Sequence, residues 1–413
     1  MVEDTDTTDY SLEEYAQARF ELTRPIPTGA RIVVARQGDK SLSSLVADAC
    51  ASFDATAQVA TFTTEADLDS LNHSDAVVFE ELGLAVLDHN DGFDATTSMT
   101  EFITSSGSVE DSYPEFYAFA DEAPASAHFL DTATYTWGLQ ATRTDVCSYT
   151  GKGIRVAVLD TGIDLQHPDF TGRIADSRSF VAGESVDDLN GHGTHCCGTV
   201  AGPMGASPRY GVAPDVELIV GKVLSNRGSG RQRDILAAML WSVQQGAQVI
   251  SMSLGRPTRP GEPFDPAYER AAAYALENGS LIVAAAGNES ERRFGFIAPV
   301  GAPANSPSIL AVAALDQSLM EADFSCGGIN DNGGEVDIAA PGVAIYSSWP
   351  LPRGYRRLSG TSMACPHVAG LAALHAESSG GLRGTALAQQ VIASVQDIGR
   401  PQRDTGAGLA IAP

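Results

Sequence analysis

The chain has 413 residues, and 43% of them are hydrophobic, which is enough to build one large domain and a smaller one. Its net charge of −26 argues against nucleic acid and anionic membranes as partners, because both are themselves negatively charged. No run approaches the roughly 18 consecutive apolar residues that mark a membrane-spanning helix.

The acidic excess has two explanations that both stay open. Carboxylates keep a protein hydrated at high salt, but an ordinary acidic protein from a GC-rich genome has a similar composition. Residues 1–26 are expected to form an acidic flexible leader, and they lack the basic and apolar regions of an export signal. The protein therefore either stays inside the cell or has lost a signal, and its compartment is left open.

Residues 27–88 predict a small α+β sandwich. Apolar alternation favours strands and amphipathic stretches favour helices. The predicted elements are a strand at 31–35, a helix at 42–51, a strand at 56–62, a helix at 65–72 and a strand pair at 76–87. Residues 89–136 are rich in Asp, Ser, Thr and Ala, which indicates a linker or a loosely docked extension.

Residues 137–398 predict an α/β domain built on a doubly wound, mostly parallel sheet. Near-continuous apolar runs, typical of strands covered on both faces, occur at 154–159, 217–223, 249–254 and 281–286. Amphipathic segments at 234–245 and 266–277 alternate with these runs as helices. Functional groups of such sheets lie at the carboxyl ends of the strands. Residues 399–413 are expected to form a tail.

The stretch NGHGTHCCGT at 190–199 combines two histidines with two adjacent cysteines. It allows a metal site, a disulfide or one corner of a catalytic centre. Adjacent cysteines rarely bind one ion together and no distant Cys or His pair completes a ligand set, which disfavours a metal site. A disulfide between Cys196 and Cys197 would strain the peptide. Free thiols are expected, with one disulfide through Cys147 or Cys326 left open.

Four polar residues stand at predicted strand or helix ends. Asp160 and Asn288 follow apolar runs, and each taken alone is an ordinary turn residue. His192 and Ser362 precede helical stretches, where a serine is commonly an N-cap. Together they supply a nucleophile, a base, a carboxylate and an amide donor for an oxyanion.

The blocks VAVLDTGID, NGHGTHCCGT, AAAGN and GTSMACPHVAG resemble those of the subtilisin-family serine proteases, over about residues 137–398. The resemblance implies that Ser362 is the nucleophile of a serine endopeptidase and His192 its base and then acid. Asp160 would hold the imidazole in the right tautomer. Asn288 and the backbone N–H of Ser362 would form the oxyanion hole, and the chemistry would need no cofactor.

The resemblance also implies two strand edges that flank an extended polypeptide substrate. The substrate-binding residues it implies are Gly228, Ser229, Gly230, Ser253, Leu254, Gly255, Ala286, Gly287 and Gly301. Gly301 matches the small residue at the base of the first specificity pocket, which leaves room for a bulky apolar P1 side chain within a broad specificity. Arg256 departs from the small residue expected beside that pocket and is a candidate for selecting acidic groups.

The N-terminal sandwich resembles the family's inhibitory propeptide, most clearly in DSLNHSDAVVFEELGLAVLD at 69–88. This implies a zymogen whose own N-terminal domain assists folding and occupies the cleft until self-cleavage. The long segment before residue 137 leaves the cut site open. The expected partners are polypeptide substrates and this domain, and the protein is expected to be a monomer.

Structural calcium is a further implication of the resemblance. Asp169, in HPDF, matches a calcium ligand of the family, but the loop GPMGASPRY at 202–210 lacks the asparagine-rich pattern of the tightest site. Calcium is therefore expected to matter less here or to bind elsewhere. Cys196 resembles a thiol of the proteinase K branch, with packing as its expected role.

Other classes of protein fit less well. An α/β-hydrolase esterase requires Ser, then Asp, then His, with the serine in a G-x-S-x-G turn, and this order is absent. A catalytically inactive binding protein is disfavoured because Asp160, His192, Asn288 and Ser362 are all present. A processing protease with a single partner would use the same residues and stays open.

Overall fold

The computed structural model describes residues 27–36, 42–53, 57–62, 74–88, 100–120, 130–331 and 333–413. The acidic leader and the predicted helix at 65–72 lie outside these residues. Within the described ranges, no helix has both the length and the apolar character to cross a membrane.

An N-terminal sheet precedes the larger domain. Its elements are β1 (Pro27–Ala35), α1 (Leu42–Phe53), β2 (Val59–Thr61), β3 (Ala76–Phe79), β4 (Leu84–Leu87) and β5 (Val109–Ala120). Strand β1 is central and pairs antiparallel with both β4 and β5, while β3 joins β4 to β2. Val33 and Val78 pack in the cluster that contains α1, whereas Ile32 and Phe79 pack on the opposite face with residues of the larger domain. The alternation of strand side chains thus covers both faces of this sheet.

Strand β5 corrects the interpretation of residues 89–136 as a linker. It spans 12 residues and extends beyond the N-terminal sheet into contact with the larger domain. Strand β5 carries charged and aromatic residues without an apolar alternation, which is why the sequence did not predict a strand here. Some of its polar side chains bond to the larger domain. Glu115, for example, is fully buried and accepts a hydrogen bond from the backbone N–H of Arg233.

The larger domain alternates strands and helices. Its elements are α2 (Trp137–Ala141), β6 (Arg155–Asp160), β7 (Ile174–Ser179), α3 (His192–Ala201), β8 (Glu217–Lys222), β9 (Ser229–Arg231), α4 (Gln232–Gln244), β10 (Val249–Met252), β11 (Leu254–Gly255), α5 (Pro266–Glu277), β12 (Leu281–Ala285), β13 (Leu310–Leu315), β14 (Ile338–Pro341), β15 (Ile345–Ser348), β16 (Tyr355–Leu358), α6 (Thr361–Ser378), α7 (Gly384–Ala393) and α8 (Gln402–Thr405).

The central sheet of this domain has the strand order β14-β13-β12-β10-β6-β8-β7, and every pair is parallel. Val156 and Val158 of β6 share a core cluster with α3 and α6, whereas Ala157 and Leu159 share one with α4 and α5. Burial on both faces explains the continuous apolar runs. The predicted doubly wound parallel sheet is confirmed, and β7, β13, β14 and the hairpin β15–β16 are additions to it.

Residues 399–413 do not form a loose tail, which corrects that expectation. Helix α8 lies in this range, and Leu409 is buried. The N–H of Ala410 donates to the carbonyl of Ala339 in β14 over 2.9 Å. The C-terminal residues therefore extend the edge of the central sheet.

Helix α3 packs closely against the carboxyl end of β6, and Gly193 makes this approach possible. A Cβ atom at this position would lie 2.3 Å from the carbonyl oxygen of Gly162. Backbone atoms cannot yield as a flexible side chain can. At Gly205, by contrast, an added Cβ would meet nothing within 4 Å.

We therefore expect Gly193→Ala to destabilise the fold, by roughly 1–3 kcal/mol or more as for other overpacked sites. Gly205→Ala, the matched control, should leave the unfolding free energy nearly unchanged. Urea unfolding monitored by circular dichroism, in a Ser362→Ala background that prevents self-digestion, measures both. Equal midpoints for the two variants would show that α3 can move away from β6 without cost.

Candidate active site

The four polar residues singled out in the sequence stand at the carboxyl side of the central sheet. Asp160 is the last residue of β6, and Asn288 follows β12 closely. His192 is the first residue of α3, and Ser362 lies in the first turn of α6. The elements that carry them pack together on the same sheet, which brings distant parts of the chain to one site.

Asp160 and His192 form a fully buried pair. Nδ1 of His192 lies 2.8 Å from Oδ1 of Asp160, and neither side chain has exposed surface. A carboxylate can only accept, so Nδ1 carries the proton and Nε2 presents a lone pair. Among the described residues no hydrogen-bond partner meets Nε2. The imidazole is therefore oriented as a base with its reactive nitrogen free.

The pKa of His192 lies well above its ordinary value of 6.5. Burial acts to lower this pKa, but the negative charge of Asp160 and the hydrogen bond to it raise the pKa by more. The imidazolium form of His192 is therefore stabilised once the imidazole has taken a proton from a nucleophile.

Ser362 lies beside both the pair and the edge of the cleft. Its Oγ donates to the carbonyl of Ser253 over 3.3 Å, and Ser253 Oγ donates to the carbonyl of Ser362 over 2.8 Å. Cys196 Sγ links the two sides of the site, at 3.8 Å from His192 Nδ1 and 3.6 Å from the Ser362 carbonyl oxygen. The hydroxyl thus points at Ser253 and not at His192 in this structure.

The Asn288 amide is held in one orientation. Its Oδ1 accepts from the backbone N–H of Thr361 at 2.8 Å and from the Thr361 hydroxyl at 3.0 Å. Its buried Nδ2 meets no hydrogen-bond partner among the described residues. A buried N–H₂ group without a partner is costly, and a developing negative charge would satisfy it. Thr361 was not identified in the sequence, because a threonine beside a serine carries no signal of its own.

The metal and disulfide alternatives for residues 190–199 are poorly supported by the geometry. All six cysteines are free thiols. Asp160, His192 and Cys196 could offer ligand atoms within 4.8 Å of one another. Burial, however, raises the pKa of the Cys196 thiol, whereas a metal ligand must be a thiolate. His195 instead contacts the carbonyl oxygens of Ile345 and Arg356.

Two strand edges flank a cleft next to Ser362, and β5 lies between them. Strand β9 pairs with β5 on one side, with Ala118 opposite Gly230 and Phe119 opposite Ser229. Strand β11 pairs with it on the other, with Phe119 opposite Gly255 and Ala120 opposite Leu254. Four of the residues predicted to flank a substrate, Ser229, Gly230, Leu254 and Gly255, thus flank a strand of this chain.

Gly301 and Arg256 lie side by side near the end of this cleft. A Cβ at Gly301 would be 2.6 Å from the carbonyl oxygen of Arg256, so only glycine fits. The N–H of Gly301 donates to the carbonyl of Ala286, and Gly287 has a φ of 111°. Nη1 of Arg256 pairs with Glu262 at 2.7 Å. A carboxylate of the same chain therefore engages the guanidinium that was a candidate for selecting acidic groups.

Asp169 lies in an aromatic cluster that does not fit a calcium site. Its Oδ2 accepts from the Tyr210 hydroxyl at 2.5 Å and from the Tyr355 hydroxyl at 3.1 Å. Burial and Asp169 raise the pKa of Tyr355 to about 12, so its hydroxyl keeps its proton. Two donors facing one carboxylate oxygen occupy the place of a cation, which needs about six or more oxygen ligands.

Comparison with known proteins shows the family to which the chain is similar. Residues 151–409 match the Subtilase family. The chain is 40% identical to subtilisin DY of Bacillus licheniformis over 237 residues, 57% of this chain and 81% of that protein. It is 42% identical to subtilisin E of Bacillus subtilis over 229 residues, 55% and 56% of the two chains. It is 40% identical to thermitase of Thermoactinomyces vulgaris over 226 residues, 54% and 75% of the two. The match thus spans little more than half of subtilisin E.

The raised pKa of His192 predicts the pH dependence of any reaction that uses it as a base. Only the neutral imidazole accepts a proton, so kcat/KM should fall as pH drops through this pKa, above 6.5. Asp160→Asn removes the charge that raises the pKa and should lower kcat on the order of 10⁴-fold. NMR titration should show the His192 pKa falling in this variant. His195, with a pKa lowered to about 3 by burial, is the internal control that should not titrate. An unchanged His192 titration would contradict the pairing.

The Asp169 cluster predicts that this carboxylate holds no calcium. We expect Asp169→Asn to leave any difference in melting temperature between EDTA and excess calcium unchanged. Tyr210→Phe should lower stability by about 1–3 kcal/mol, because a partly buried carboxylate loses a donor. Tyr346→Phe, in the same aromatic cluster, leaves both hydroxyls on Asp169 and is the control. A loss of stability in EDTA that calcium rescues in wild type, and that Asp169→Asn abolishes, would contradict this interpretation of Asp169.

Proposed function

The chain belongs to the subtilase family of subtilisin-like serine endopeptidases, and from that premise we propose that it hydrolyses peptide bonds through Asp160, His192 and Ser362. Ser362 Oγ attacks the scissile carbonyl while His192 Nε2 takes its proton. The same imidazole then protonates the leaving amine, and water hydrolyses the acyl-enzyme. The free Nε2 beside the 2.8 Å bond to Asp160 is the observation that carries this proposal.

The oxyanion of each tetrahedral intermediate is bound by Asn288 Nδ2 and the backbone N–H of Ser362. The unpaired, buried Nδ2 supports the first donor. Thr361, which fixes the other end of the amide, keeps that donor directed without rearrangement during the reaction. No cofactor takes part.

Substrates bind as an added strand between β9 and β11. The antiparallel pairs that both edges make with β5 support this mode, because they are formed by backbone groups that every peptide has. Recognition by backbone gives a broad specificity. The resemblance of Gly301 to the small residue at the base of the family's first specificity pocket supports a bulky apolar side chain before the scissile bond, and the Arg256–Glu262 pair argues against selection of acidic ones.

The chain is made as a zymogen inhibited by its own N-terminal sheet. Contacts at the starts of two helices of the larger domain support this. Glu115 accepts from the N–H of Arg233 in the first turn of α4, and the Tyr113 hydroxyl bonds to Asp265, the N-cap of α5. Acceptors at helix N-termini satisfy free N–H groups and the helix dipole. Asp88 adds ion pairs to Arg231 and Arg233 at 3.2 and 2.8 Å.

The register of β5 supports a position for the self-cleavage. Ala120, the last residue of β5, is opposite Leu254, which directly follows Ser253. The Ser253 carbonyl oxygen is 3.3 Å from Ser362 Oγ. We therefore expect the cut shortly after Ala120.

Intact-mass analysis of wild type and Ser362→Ala, incubated in low and in molar salt, tests the proposal. Wild type should lose a fragment that ends shortly after Ala120 and then cleave a peptide with an apolar P1 residue. Ser362→Ala should keep its full mass. A cut at a distant position would contradict only the cleavage position inferred from the register of β5, and not the proposed activity. No cut and no peptide cleavage, in either salt, would contradict the proposed activity and favour an inactive relative.

A further inference from the structure

A second buried carboxylate, Asp188, lies beside the pair of Asp160 and His192, and the proposed reaction gives it no role. It stands in the loop before α3 and is 1% exposed. Its two oxygens accept five hydrogen bonds of 2.7–3.0 Å, which come from Thr161 Oγ1, Asn190 N, Gly191 N, Thr194 N and Thr194 Oγ1. A carboxylate without water needs such a set of donors to stay charged.

The donors on one side of Asp188 lead to Asp160. Thr161 directly follows Asp160, and its N–H donates to Asp160 Oδ1 at 2.7 Å. The Thr161 hydroxyl donates to Asp188 at 2.9 Å and accepts from the N–H of Gly193 at 2.8 Å. Thr161 therefore connects three parts of the site, with Asp188 fixing the direction of its hydroxyl proton.

The donors on the other side lead to His192. The N–H groups of Gly191 and Thr194 flank the histidine at the start of α3, and each bonds to a different oxygen of Asp188. The first turn of α3 is thus anchored on one buried negative charge. A negative charge near the N-terminus of a helix also interacts favourably with the helix dipole.

Lys222 bonds to the carbonyl group of Thr161, whereas Asp188 bonds to its hydroxyl. The fully buried Nζ of Lys222 donates to the carbonyl of Thr161 at 2.5 Å and to Asn226 Oδ1 at 2.8 Å, and it lies 3.3 Å from Glu184. Thr161 therefore has its N–H, hydroxyl and carbonyl all bonded. The peptide after Asp160 cannot rotate without breaking a bond to a charged group.

We propose that Asp188 is a positioning residue of the reaction, whose charge sets the geometry of the Asp160–His192 hydrogen bond by holding Thr161 and the first turn of α3. It touches neither substrate nor the reacting atoms. This inference rests on the proposed peptidase activity. Displacements of about 1 Å in such a pair cost on the order of 10²-fold in rate, so the support of the pair affects kcat.

Asp188→Asn is the main test, and Glu377→Gln is the matched control. Glu377 also accepts several backbone N–H groups through one carboxylate, those of Thr150, Gly151 and Lys152. These residues precede β6, at the end of the strand opposite to Asp160. Both variants replace one carboxylate oxygen by an N–H₂ group that repels donors, so both are expected to lower the melting temperature.

Only Asp188→Asn should lower kcat, on the order of 10²-fold at nearly constant KM, measured on the matured protein per titrated active site. The low-field proton NMR signal of the His192 Nδ1–H should shift or broaden in this variant and stay unchanged in Glu377→Gln. Equal kcat and an unchanged signal in Asp188→Asn, with stability reduced as in the control, would overturn the proposal.

Should Asp188→Asn fail to fold, Thr161→Val and Thr161→Ser replace it. Valine removes the hydroxyl that joins Asp188 to the Asp160 side, and serine restores it. We expect Thr161→Val to lower kcat and perturb the signal of His192, and Thr161→Ser to rescue both. Equal values for the two variants would overturn the proposal. Wild type that cleaves no peptide would instead contradict the activity, and the NMR comparison would still test the role of Asp188.

Discussion

The hydrogen bond between Asp160 and His192 is the interaction on which the rest of the site depends. Both side chains are removed from water, and burying an ionisable pair costs free energy unless the pair is well aligned. The parallel sheet provides this alignment by fixing the end of β6, while α3 starts with the histidine itself. Asp188, Thr161 and the glycine at 193 then keep these two elements in contact.

Much of the fold and of the candidate site could be predicted from the sequence, because the patterns that indicate them lie within short stretches of the chain. Strands buried on both faces need uninterrupted apolar residues, so β6, β8, β10 and β12 were predicted close to their observed bounds. Asp160 and Asn288 stand at or just after the ends of such strands, and His192 and Ser362 stand at the starts of helices, where the sequence pattern changes. The sequence therefore predicts the positions of Asn288 and of the pair Asp160–His192. The roles of these residues stay proposals.

The parts that could not be predicted depend on partners far apart in the chain. Strand β5 mixes charged and aromatic residues without a clear apolar alternation, and part of it pairs with edges whose residues lie more than one hundred positions away, such as Arg231 opposite Tyr117. In the sequence Asp169 resembles a metal ligand, whereas in the structure the hydroxyls of Tyr210 and Tyr355 donate to its carboxylate. Asp188 is a loop aspartate, which in a sequence predicts only a turn.

In the proposed zymogen, the docking of β5 between β9 and β11 would also set how substrates compete with it. A tethered strand acts at an effective concentration in the range of millimolar, so a free peptide at lower concentration would be excluded by mass action alone. Cutting the tether would make the same contacts bimolecular, and the fragment would be lost on dilution. Degradation of the released fragment would then make activation irreversible after a single hydrolysis.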